Sequence, residues 1–84
     1  MHENIQEGFD VFLHDGANAV GAVRGVHSNA IIVYIEDGGD FEVPIGAVIE
    51  AGDQKVVLNS AKLDPRMLEF IRRRRRDEDP KLAG

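Results

Sequence analysis

The chain has 84 residues, no cysteine, no tryptophan and a formal charge of −5. That length holds one small core burying roughly 60–65% of its unfolded surface, and the missing cysteine excludes disulfides and thiolate metal sites. No apolar run approaches the roughly 20 residues of a membrane span and MHENIQEGFD contains no apolar h-region, so a cytoplasmic protein without a membrane span is expected.

Phe9 to His14 reads as a first strand, with Phe9, Val11 and Leu13 on one face and Asp10, Phe12 and His14 on the other. Asp15-Gly16-Ala17-Asn18 supplies turn chemistry into a second strand, Ala19 to Val26. Gly21 and Gly25 inside that strand suit a sharp bend or a close approach of another backbone.

Ala30 to Glu36 is the strongest strand pattern in the chain. Ile31, Val33 and Ile35 face one way and Ile32 and Tyr34 the other, so neither face is polar. The strand is expected either to be covered on both sides or to offer Ile32 and Tyr34 to another chain. Asp37-Gly38-Gly39 then turns into Asp40 to Val43, whose Asp40 and Glu42 give it one wet face. Pro44 cannot donate to a ladder and ends that strand. Ile45, Val48 and Ile49 have the spacing of one helical turn, which predicts a short helical or 3₁₀ connector over 44–50. Gly52-Asp53 turns into a last strand, Lys55 to Leu58.

Leu63-Asp64-Pro65 is a helix start, with Asp64 as cap, Pro65 at the first position and Leu63 able to staple onto Leu68. The helix is expected over 65–76. Leu63, Met67, Phe70 and Ile71 share one face, and the same stripe continues into Arg74 and Arg75, so docking should end near Ile71. Residues 77–84 read as a frayed tail.

Charge is segregated along the chain. Residues 1–63 carry three basic side chains against ten acidic ones, a net −7, whereas residues 64–84 carry seven against five, a net +2. The basic charge is concentrated in Arg72, Arg73, Arg74, Arg75 and Arg76. These guanidinium groups are forked donors for carboxylates or phosphates, and positive charge there also suits the helix dipole. Only Arg24, Lys55 and Lys62 lie in the body, which opposes a phosphate-tracking face and favours a protein partner over RNA.

No motif points to catalysis, a cofactor or a metal. His2, His14 and His27 are scattered, the acidic group Glu36, Asp37, Asp40 and Glu42 lacks calcium-loop spacing, and Gly21 to Gly25 matches no phosphate-binding pattern. Ser28 and Ser60 sit in no nucleophile elbow.

Residues 9–59 resemble the PRC-barrel family, the small β-barrel module named for the photosynthetic reaction-centre H subunit. The features that carry this are the Asp15-Gly16 turn, Val20-Gly21-x-Val23-x-x-Val26, the apolar strand 31–35, Pro44 with Val48 four residues on, and Val56-Val57-Leu58-Asn59. The resemblance implies a mainly β fold, a small antiparallel β-barrel over residues 1–63 followed by the helix 64–76 packed on the barrel or on a partner. It also implies an adaptor without catalytic residues, since the family spans a reaction-centre subunit and a ribosomal RNA maturation factor in which the barrel binds. The expected function is therefore a non-catalytic interaction module, a homodimer, with candidate contact residues Ile32, Tyr34 and Arg72 to Arg76. The alternatives are an RNA- or ribosome-associated factor using the arginines, and an enzyme or ligand carrier with a site in the barrel mouth, which no constellation supports.

Overall fold

The computed structural model describes residues 5–16 and 18–78, the last five by their backbone alone. Strands β1 (Asp10–Leu13), β2 (Gly21–Val26), β3 (Ala30–Ile35) and β4 (Gly39–Pro44) lead through a 3₁₀ turn at Ile45–Ala47 into β5 (Val48–Gly52) and β6 (Lys55–Leu58). A second 3₁₀ turn, Ser60–Lys62, precedes the helix α1 (Pro65–Glu78).

The strands form one six-stranded sheet in the order β4-β3-β2-β1-β6-β5. The expected hairpins form: β1 lies antiparallel to β2, with Val11 opposite Gly21, and β3 to β4, with Val33 opposite Phe41; β2 also lies antiparallel to β3, with Val23 opposite Val33. Two expectations are corrected. The sheet is mixed rather than antiparallel, because β1 and β6 pair in parallel with Val11 opposite Val56 and Leu13 opposite Leu58. The segment after Pro44 is only briefly helical: Val48–Gly52 is a strand antiparallel to β6, so 44–50 is a turn followed by a strand. The helical spacing of Ile45, Val48 and Ile49 arises because Ile49 is the extra residue of a β-bulge between Val48 and Glu50, which breaks the alternation expected of a strand.

The sheet is strongly curled but does not close. Six strands laid flat would put the two edges roughly 24 Å apart, at about 4.8 Å per step. Pro44, at the end of one edge strand, and Val48, at the start of the other, are four residues apart and so no more than roughly 14 Å apart. Only a curled sheet meets that condition. Closure by a ladder between β4 and β5 is prevented by direction: both run opposite to β1, so their pairing would be parallel, and a parallel pair needs a crossover of about a dozen residues. The three-residue turn straps the seam instead. Ile45 N donates to Asn29 O at 3.0 Å on one side, and Asn59 N donates to Ala47 O at 2.8 Å on the other.

The core lies inside the curl. Ile31, Val33 and Ile35 of β3, Val11 of β1, Val43 of β4 and Val56 and Leu58 of β6 are fully buried there, and no buried side-chain polar atom lacks a partner among the described residues. The helix closes one side of this core. Asp64 Oδ1 accepts from Arg66 N at 2.8 Å, the cap its sequence position promised. Met67 and Ile71 are 0% and 1% exposed, each burial stabilising by roughly 2 kcal/mol. Phe70 packs against Phe41 with the rings tilted 52° to each other and their centroids 6.1 Å apart, beside the Asp37-Gly38 turn. The helix extends two residues past the expected end, taking in Asp77 and Glu78; the remainder of the expected tail, 79–84, lies outside the described residues, as does His2.

Candidate interaction surface

The pleat of β3 decides which side chains face outward. With Ile31, Val33 and Ile35 inside, Ile32 and Tyr34 stand half-buried on the outer face. Register places Tyr34 between Ala22 and Asp40, and Ile32 between Gly25 and Glu42. The outer face thus carries two rows, each an apolar centre with a carboxylate on the edge strand β4.

Arg24 is delivered to the first row by a bulge. The register shifts between Val23 and Gly25, leaving Arg24 as the extra residue of β2. Its guanidinium lies 4.7 Å from the centre of the Tyr34 ring, and its Nη1 is 3.4 Å from Asp40 Oδ1. One cation is therefore held at once by an aromatic face and a carboxylate, an exposed arrangement in which each contact contributes at most about 1 kcal/mol. On the neighbouring part of the face, Lys55 Nζ sits 5.9 Å from the centre of the half-buried Phe12 ring. Long cationic side chains thus cover two of the outward aromatic residues. In the neighbouring row, Ile32 stands beside Glu42, which makes no ion pair among the described residues. Sequence reading missed Arg24 and Lys55 as covers because neither the bulge nor the β1–β6 register can be read before pairing is known.

An open depression of about 310 Å³ lies beside Tyr34, lined by Ala19, Val20, Gly21, Ala22, Tyr34 and Glu36. At Gly21, one of its lining residues, a Cβ would overlap the carbonyl oxygen of Tyr34, so β2 and β3 approach there as only glycine allows.

The arginine run sits on α1. Arg72 and Arg73 are exposed, Arg73 Nη2 being 3.9 Å from Glu69 Oε2 one turn back and its guanidinium 5.8 Å from the Phe70 ring. Arg74, Arg75 and Arg76 continue the helix by their backbone. Ile32 and Tyr34 lie on the outer face and α1 packs on the core face, so the fold does not bring the two groups of candidate residues together within one chain.

Among residues considered for chemistry, one pairing was unforeseen. His14 Nε2 and Ser60 Oγ, 46 positions apart, lie 3.3 Å from each other at the surface. Nucleophile-and-base chemistry also needs a group orienting the imidazole, and among the described residues no carboxylate hydrogen-bonds its other nitrogen. The pair ties the end of β1 to the second 3₁₀ turn. Among the described residues no three His, Asp or Glu side chains converge as metal ligands, and no helix is long and apolar enough to cross a membrane. No family model, curated protein or solved structure matches the chain.

Proposed function

We propose that this chain is a cytoplasmic, non-catalytic protein-interaction module of PRC-barrel type that self-associates through the outer face of β3. The barrel reading draws on the order of turn, glycine and proline motifs in the sequence and on the curl that the Ile45–Ala47 strap imposes. The observation that carries the function is the Ile32–Tyr34 face, an apolar pair left half-buried beside carboxylates on a strand whose other face is already full.

Sedimentation equilibrium tests it. The native chain should weigh as a dimer at tens of micromolar, and Ile32→Glu should shift it to monomer while leaving the far-ultraviolet circular dichroism unchanged. A native chain that stays monomeric at high micromolar concentration ends the self-association reading.

The five arginines favour one rival, an RNA- or ribosome-associated factor. It requires salt-sensitive RNA binding that disappears when Arg72 to Arg76 become glutamine, a signature of phosphate contact. Binding that survives the change rules this rival out.

A further inference from the structure

No ion pair among the described residues joins Arg72 or Arg73 to Glu42 of the sheet. Among the described residues, the only ion pair in the sheet is Arg24 with Asp40, and Arg73 reaches only Glu69 on its own helix. Arg72 is exposed, and Glu42 is exposed on the edge strand β4. They cannot meet by helix motion, because α1 is fixed on the core face by Met67 and Ile71, while Glu42 shares the outer face with Ile32. The sheet stands between them.

The outer face also shows how it holds a guanidinium. In the Tyr34 row, the Arg24 guanidinium lies over the aromatic ring and reaches the edge-strand carboxylate of Asp40. The next row, Ile32 and Glu42, repeats the arrangement of an apolar centre beside a carboxylate, without an arginine among the described residues. Direct edge-to-edge pairing of two β4 strands would set Asp40 and Glu42 against their own copies, which like charge opposes. A cationic element escapes that repulsion, and the densest one in the chain is Arg72 to Arg76.

We infer that the arginine-bearing end of α1 docks on the Ile32–Glu42 row of a second copy of this chain, an arginine stem covering Ile32 and its head meeting Glu42. This rests on the self-association reading and names its contact. Each copy carries both halves, so the contact is reciprocal in a closed dimer.

The test is sedimentation equilibrium on the full chain at about 50 mM and about 500 mM salt, since exposed pairs are screened over that range. The association constant should fall at least about tenfold at the higher salt. Glu42→Lys and the triple change Arg72→Glu, Arg73→Glu, Arg74→Glu should each sediment as monomer at low salt. An equimolar mixture of the two should recover a heterodimer, because opposite charges then face each other in both reciprocal contacts. Circular dichroism on each variant separates lost contact from lost fold, and the salt comparison on the native chain stands without any variant. A dimer unmoved by salt and by both charge reversals overturns this contact while leaving self-association intact. A native chain monomeric at low salt overturns both.

Discussion

Gly38 lies beneath the ring of Phe70: a Cβ at position 38 would stand 3.0 Å from Phe70 Cγ and 3.3 Å from its Cβ. The absence of a side chain on the β3–β4 turn is thus what lets the helix lie down. Gly38→Ala should lower stability by about 1–2 kcal/mol through overpacking, and Phe70→Leu in the same chain should recover part of that loss. Denaturant titration of the two single variants and the double variant checks the coupling.

Gly21 is a harsher case, because its neighbour is backbone rather than a movable ring. Gly21→Ala must separate β2 from β3 at Tyr34, and we expect a loss of about 3 kcal/mol or more, enough to unfold a domain this small. A variant that melts within a few degrees of the native chain would contradict the close approach.

The turn between β5 and β6 uses two residues in the left-handed region, Asp53 at φ 52° and Gln54 at φ 64°. A two-residue hairpin of this kind prefers glycine at its second position. Gln54→Gly should therefore raise stability by about 0.5–1 kcal/mol, the relief of strain exceeding the entropy cost of glycine. Thermal denaturation reads the sign directly.

Among the described side chains of α1, Ile71 is the last that is buried. Ile71→Ala should cost about 3 kcal/mol, and Met67→Ala a similar amount, by opening a cavity in the core. Removing everything after Arg73 should change stability by less than about 1 kcal/mol, since it keeps Met67 and Ile71, the helix residues buried in the core. Equal losses from truncation and from Ile71→Ala would mean the later turns pack as well.

Asp64→Ala removes the one side-chain acceptor at the helix N-terminus and should cost about 1 kcal/mol, whereas Asp64→Ser should retain most of that. Chemical denaturation of the pair distinguishes capping from a general charge effect.

Local pattern was enough to place β1 to β4, β6 and α1, because each carries its own alternation, turn or cap. Val48–Gly52 was missed for an equally local reason: the bulged Ile49, 52% exposed, gives a half-buried strand the spacing of a helix. The parallel pairing of β1 with β6 lay beyond reach because no short turn joins them, and adjacency in sequence is the only pairing cue a single chain offers. The surface was legible in its residues and not in its arrangement. Ile32 and Tyr34 were found by alternation, but Arg24 comes to Tyr34 through a bulge and a cross-strand register that appear only once the sheet is assembled.

Because β1 and β6 run side by side in the same direction, with Asp10 to Leu13 matched against Lys55 to Leu58, tension applied between residues 9 and 59 pulls the two strands along their length in opposite senses. Their hydrogen bonds then carry the load together rather than parting one at a time, as they would at the antiparallel β5–β6 turn. The β1–β6 ladder in the interior of the sheet is consequently its mechanical clamp, and the chain should resist pulling from those points more strongly than unzipping from any hairpin.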